Sequence, residues 1–340
     1  MPRPSNTTPS LATADGGDVP AASRLGPSQW NVRKFFIHFS MVWVLIALTI
    51  VSNMLYPGFF DIGNIKNILS QNAPVGLVAI GMTFVMIAGG FDLSVSSIFA
   101  MGGVAFASFF GDMPTAVAII AVLGVGLVAG SINGLIITRL HVNPFVATLG
   151  TASAFSGIAY LYSNSTPIVQ TEEAFLALGT DSVAGIPISV AIFAGVFVVA
   201  AWVLAKTVYG RNVYAVGGNT EAARLAGIRV DLIRFSTYAI TGVCAALAGM
   251  ILASRTGVGQ ANTGEMVTLD SIAIVIVGGT SLLGGEGAMW RTLVGMLIFG
   301  TITNLFDALA LEAAAQDLVK GVIVIAAVAL DVYTRRYRTT

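Results

Sequence analysis

The sequence predicts an all-α polytopic membrane protein of about ten transmembrane helices, some short or broken, with weak internal duplication. Three observations predict it. Of 340 residues, 56% are hydrophobic and only 10% charged, too little polar surface to cover a water-soluble globule of this size, and mean hydropathy is +0.85. The charges cluster so as to leave apolar intervals close to the ~20 residues a bilayer core requires. Two of the later intervals are short and glycine-bearing, as in transporter helices that line a cavity.

Residues 1–33 are rich in Pro, Ser, Thr, Ala and Gly and lack the apolar core of a signal peptide, so they read as a disordered cytoplasmic tail. The transmembrane domain is placed at 34–335, with a short cytoplasmic tail over 336–340. The expected spans lie at roughly 36–57, 68–89, 93–111, 114–138, 144–163, 187–206, 235–254, 268–284, 289–307 and 316–333. Arg33, Lys34, Arg139, Lys206, Arg211, Arg224, Arg229, Arg234, Arg291, Arg335, Arg336 and Arg338 all fall on one side of this arrangement. The other side carries mostly acids, with only Lys66, Arg255 and Lys320 as cations. The bias places both termini in the cytoplasm.

The longest cytoplasmic loop is 209–234. Within it Asn219-Thr220 is a helix start, Glu221 favours the first turn and Gly227 is a stop, which predicts a short amphipathic helix outside the bilayer. FVMIAGGFDLS at 84–94 and IVIVGGTSLLGG at 274–285 both run an apolar helix into paired glycines, the trace of duplication. Gly126, Gly130 and Gly134 recur every four residues, a helix face on which a neighbour packs closely.

Catalytic signals are missing. No lysine follows a glycine, so a Walker-type phosphate loop is excluded, and neither a G-x-S-x-G elbow nor an H-E-x-x-H helix occurs. The single cysteine, Cys244, excludes a disulfide framework, and His38 and His141 are too far apart in sequence to suggest a metal pair. There is no basic face for nucleic acid. The candidate lining of a solute path is a set of uncharged donors and acceptors with one carboxylate: Gln71, Asn72, Asn133, Asn143, Thr148, Thr268, Asp270 and Asn304. Each is also explained by a helix cap or an interhelical hydrogen bond. Their scarcity favours a weakly polar path over a charge-lined ion site. Asp92 stands between two spans, where an ionised group at a helix centre costs about 2.5–3.5 kcal/mol. The topology assigns it, with Ser94, to a tight cytoplasmic turn that caps the next helix.

Taken together, GMTFVMIAGGFDLSVSSIFAMGG (81–103), NPFVATLGT (143–151), YAVGGNTEAARLAGIRV (214–230) and LDSIAIVIVGGTSLLGGEG (269–287) resemble the permease subunits of bacterial ribose-, xylose- and arabinose-type ABC sugar importers. The resemblance runs from about 35 to 335. It implies a non-enzymatic, multi-pass subunit of the inner membrane that passes a simple sugar, such as ribose or xylose, from periplasm to cytoplasm. It further implies a second permease subunit as in a homodimer, a periplasmic sugar-binding protein, and a cytoplasmic ABC ATPase that holds the ATP and Mg, with no cofactor on this chain. Asn219, Glu221, Arg224, Leu225 and Gly227 then correspond to the segment that couples to the ATPase. A secondary transporter or facilitator for a small polar solute is the alternative, and it calls for ion-coupling carboxylates in mid-span.

Overall fold

The apolar intervals fold as helices, because a chain in hydrocarbon must satisfy its backbone polar groups internally. The computed structural model describes residues 39–336. The tail expected over 1–33, Arg33, Lys34, His38 and residues 337–340 lie outside the described residues. In chain order the helices are α1 (Ser40–Leu55), α2 (Ile62–Ile87), α3 (Val95–Phe109), α4 (Thr115–Arg139), α5 (Pro144–Tyr162), α6 (Glu173–Thr180), α7 (Ile188–Lys206), α8 (Val208–Gly218), α9 (Thr220–Leu225), α10 (Val230–Thr256), α11 (Val267–Val277), α12 (Met289–Ala308) and α13 (Ala313–Arg336). The two-residue strands β1 (Ile168–Val169) and β4 (Val258–Gly259) pair antiparallel, as do β2 (Ser182–Val183) and β3 (Ile186–Pro187).

Six helices among the described residues, α2, α4, α5, α7, α10 and α12, are long and apolar enough to cross a membrane. About ten crossings are not reached by this measure: α1, α3 and α11 are apolar but have only 16, 15 and 11 residues. At 1.5 Å per residue α11 is about 16 Å long, half of a ~30 Å hydrocarbon core. The N-termini of the short helices α3 and α11 meet inside the bundle, where the Ser96 N–H donates to Thr268 Oγ1 at 3.2 Å.

Helix α10 is the centre of the bundle, packed on α2, α3 and α4. Small residues set these approaches. On α4, Gly126 and Gly130 lie directly on the α10 backbone at Gly242 and Tyr238, and a Cβ on Gly134 would sit 2.9 Å from the Phe235 carbonyl. A Cβ on Gly81 of α2 would sit 2.7 Å from Thr241 Cα. Such contact replaces the hydrophobic drive that is weak between helices in lipid.

Helices α2 and α11 end in the same way. After α2 the N–H groups of Ala88, Gly89 and Gly90 donate to the carbonyls of Phe84, Met86 and Val85 at 3.0, 3.0 and 2.9 Å. After α11 those of Gly278, Gly279 and Thr280 donate to Ile274, Ile276 and Val275 at 2.8, 2.7 and 3.1 Å. Gly89 and Gly279 take the left-handed conformation this stop requires, with φ +80° and +82°. The stop ends α11 at Val277, short of the span expected to 284.

The segment between α5 and α7 has structure that charge patterning does not reveal. Helix α6 is anchored by buried Phe175, which stacks on Phe106 at 4.8 Å between ring centroids and meets Phe110 edge-on at 5.1 Å. Ser254 Oγ donates to the Phe175 carbonyl at 2.6 Å and accepts the Gly179 N–H at 2.9 Å, fastening α6 to the end of α10.

Candidate functional site

Asp92, expected with Ser94 in a tight cytoplasmic turn, contacts Ser94 as part of a buried network. Its Oδ1 accepts from the Ser94 N–H at 2.9 Å and from Ser94 Oγ at 2.6 Å. Asn133 Nδ2 on α4 donates to Ser94 Oγ at 2.7 Å, and Thr151 Oγ1 on α5 donates to Asn133 Oδ1 at 2.6 Å. Asp92, Ser94 and Asn133 are fully buried. Ser94 is the N-cap residue of α3, but its hydroxyl serves Asp92 and not a helix N–H, and Asp92 takes an N–H one residue ahead of the helix. The network thus ties the start of α3 to α4 and α5, and it makes the Asn133 amide a joint between helices.

The predicted helix of the 209–234 loop is α9. Asn219 Oδ1 accepts the Ala222 N–H at 2.9 Å at its start, and Gly227, with φ +81°, follows its end. Glu221 and Arg224 form an exposed pair at 3.2 Å, and Leu225 is 90% exposed. The preceding helix, α8, ends in a glycine junction. Gly217 rests on the Ile87 carbonyl at the end of α2, Gly285 donates its N–H to that same carbonyl at 2.8 Å, and Gly284 lies over Gly89. Tyr214 Oη donates to the Gly287 carbonyl at 2.9 Å. Burial raises its phenol above the ordinary value, against the pull of the Arg291 charge, so it stays a donor. The α8–α9 segment is therefore fastened to both glycine stops at once.

A cavity of about 480 Å³ lies toward the opposite ends of these helices. Its wall is Gln71, Asn72 and Val75 from α2, Leu252, Arg255 and Thr256 from α10, Asp270 and Ile274 from α11, Phe299, Thr303 and Asp307 from α12, and Lys320 from α13. Lys320 Nζ is 3.8 Å from Asp270 Oδ2, and both side chains are largely buried. Arg255 has no ion pair among the described residues. Four charged residues on the wall make it more charged than the weakly polar path expected.

Three of the eight path candidates, Gln71, Asn72 and Asp270, are thus brought together. The others are placed elsewhere. Asn143 is an exposed cap whose Oδ1 accepts the Phe145 N–H at 2.9 Å. Thr148 is buried and donates to the Pro144 carbonyl at 2.8 Å. Thr268 joins α11 to α3, and Asn304 exchanges two hydrogen bonds with Asn64, at 3.1 and 2.8 Å. Arg255 and Lys320 are the residues that sequence reasoning used only to orient the chain. Their signal is that they are isolated cations on the otherwise acidic side. Among the described residues no group of His, Cys, Asp or Glu is arranged to hold a metal ion.

The family model described as the permease component of a branched-chain amino acid transport system matches residues 64–328. The chain is 38% identical over 311 residues to the ribose import permease protein RbsC of Haemophilus influenzae, covering 90% of this chain and 96% of that one. It is 41% identical over 290 residues to RbsC of Bacillus subtilis, covering 84% and 90%. With the L-arabinose transport system permease protein AraH of Escherichia coli it shares 34% identity over 321 residues, covering 92% and 96%. No solved structure matches.

Proposed function

Because the chain belongs to the family of transport-system permease components, we propose that it is the membrane subunit of an ATP-driven ABC importer that carries a simple sugar, a pentose such as ribose, from periplasm to cytoplasm. The observation that carries this reading is similarity along nearly the whole chain to two ribose import permeases and an arabinose permease. In this reading the protein is a transporter subunit and not an enzyme. ATP and Mg act on a separate ATPase, a periplasmic binding protein delivers the sugar, and both termini lie in the cytoplasm. The six long apolar helices, with α1 and α13, traverse the inner membrane, and the short α3 and α11 reach partway, which makes ten.

The α8–α9 segment faces the ATPase. Exposed Leu225, beside the Glu221–Arg224 pair, is the apolar point that a groove on the partner receives. The cavity, through Gln71, Asn72 and Asp270, is the solute's route. Its hydrogen-bonding groups suit hydroxyls, and Phe299 offers an apolar ring face. Charged groups at membrane depth need protein or water around them, which supports a second copy of the chain completing this face. ATP-driven closure of the ATPase pair moves the coupling segments, and the bundle shifts between two packed states.

Arg224→Glu tests the coupling face. It places two carboxylates on adjacent turns of α9 and removes the exposed cation. Uptake of ribose by the assembled transporter is expected to fall about tenfold, the equivalent of ~1.4 kcal/mol of lost coupling, with normal membrane insertion. Unchanged uptake together with unchanged ATPase stimulation removes the coupling assignment.

A further inference from the structure

We propose that α11 is the relay between the coupling segment and the cavity, and that Asp270 and Lys320 are the positioning pair it makes and breaks. The inference rests on the permease reading above. Helix α11 is the short element whose one end leads into the glycine junction and whose other end carries a charged wall residue of the cavity. At the junction end, the turn after α11 is fixed to α2 by the Gly285 N–H bond to Ile87 at 2.8 Å and to α8 by the Tyr214 bond to Gly287 at 2.9 Å. No side chain is interposed between Gly217 and Gly285, so displacement of α8 is passed on without slack.

Along its length α11 is locked to α12, since Gly295 lies directly on the Ile274 carbonyl and a Cβ on Gly278 would sit 2.6 Å from the Arg291 carbonyl. Helix α12 is in turn bonded to α2 through Thr83 and Thr292, whose hydroxyls are 2.8 Å apart, and through the Asn64–Asn304 amide pair. Three walls of the cavity thus form one slab joined by close backbone contact and short hydrogen bonds.

Helix α13 also packs on α11, but the polar link between them is of another kind. Asp270 and Lys320 stand 3.8 Å apart, beyond hydrogen-bond distance, with 19% and 15% of their side chains exposed. This is the one ion pair between α11 and α13 among the described residues. Nearer the α12–α13 connection, Gln316 Nε2 donates to Asp307 Oδ1 at 3.1 Å, so α13 is tethered at its start and the ion pair lies one turn beyond. A shift of the slab at the junction is therefore taken up between Asp270 and Lys320. Each charge then has bonding capacity free for the hydroxyls of a neutral polyhydroxylated solute.

The test is a reversible lock. Asp270→Cys with Lys320→Cys is joined by a short linker that a reductant cleaves, in the full chain assembled with its ATPase and ribose-binding partner in proteoliposomes. Cys244 is buried, which leaves the two new thiols as the accessible ones among the described residues. Cross-linking is expected to cut ATP-driven ribose uptake at least tenfold, with recovery on reduction. Uptake that stays within twofold of the reduced sample overturns the relay. If the double variant does not assemble, Lys320→Gln gives a second readout: loss of most of the ATPase stimulation by ribose-loaded binding protein is expected, and undiminished stimulation overturns the proposal. A wild-type assembly without ATP-driven ribose uptake overturns the permease reading and the relay with it, whereas normal wild-type uptake with a lock that has no effect overturns the relay alone.

Discussion

Gly217→Val is expected to cut coupled transport about tenfold or more while the chain still inserts. A Cβ at this position collides with the Ile87 carbonyl and lies 2.7 Å from the Gly285 nitrogen, and these two groups are themselves hydrogen-bonded at 2.8 Å. Both neighbours are backbone, so no rotamer change relieves the clash. Overpacking of this kind costs about 1–3 kcal/mol, and parting the Ile87–Gly285 bond adds about 1 kcal/mol. The cost falls on the contact that joins α8 to the two glycine stops. Ribose uptake and ATPase stimulation should each drop about tenfold or more, as ~1.4 kcal/mol per decade implies. Gly218→Ala is the control: its Cβ comes no closer than 4.0 Å to Gly285 Cα, and uptake should stay within about twofold.

Asp92→Leu is expected to destabilise the whole bundle, and Asp92→Asn to do little. Leucine removes the acceptor of both the Ser94 N–H and the Ser94 hydroxyl, and each buried group left without a partner costs about 1–3 kcal/mol. The loss propagates, because the Ser94 oxygen then lacks the orientation that receives Asn133. In detergent the apparent melting temperature should fall by about 5–10 °C, at roughly 2–4 °C per kcal/mol for a chain of this order. Asparagine keeps an oxygen at the Oδ1 position, and melting should stay within about 2–4 °C of wild type, near the cost of one weakened bond. An Asp92→Asn variant that melts normally but does not transport would show that the charge itself is used.

The helices were legible because hydrocarbon forces each apolar interval into the same local solution, and the caps of α9 were legible because Asn219 and Gly227 act on their immediate neighbours. The four-residue glycine ladder of α4 named its own packing face for the same reason. Asp92 was not legible. Its burial depends on Asn133 and Thr151, brought in by α4 and α5, while the local turn signal is the same in an exposed turn. The length of α11 was misjudged because the charge-free interval continues past Gly278–Gly279 to Glu286, although the glycines that stop it are visible. Helix α6 escaped notice since only two buried residues, Phe175 and Gly179, anchor it among charges. Arg255 and Lys320 gain their place on the cavity wall only when α10 and α13 are gathered with α2, α11 and α12 around one space.

In the proposed function this chain is a pathway driven from outside itself. Ribose uptake is to be measured into proteoliposomes holding the purified chain alone, or the chain with its ATPase, supplied with binding protein and ATP on their respective sides. Uptake against a gradient only when ATPase, binding protein and ATP are all present is the predicted result. Movement of ribose by the chain alone, at a rate that ATP and the partners do not change, would contradict it.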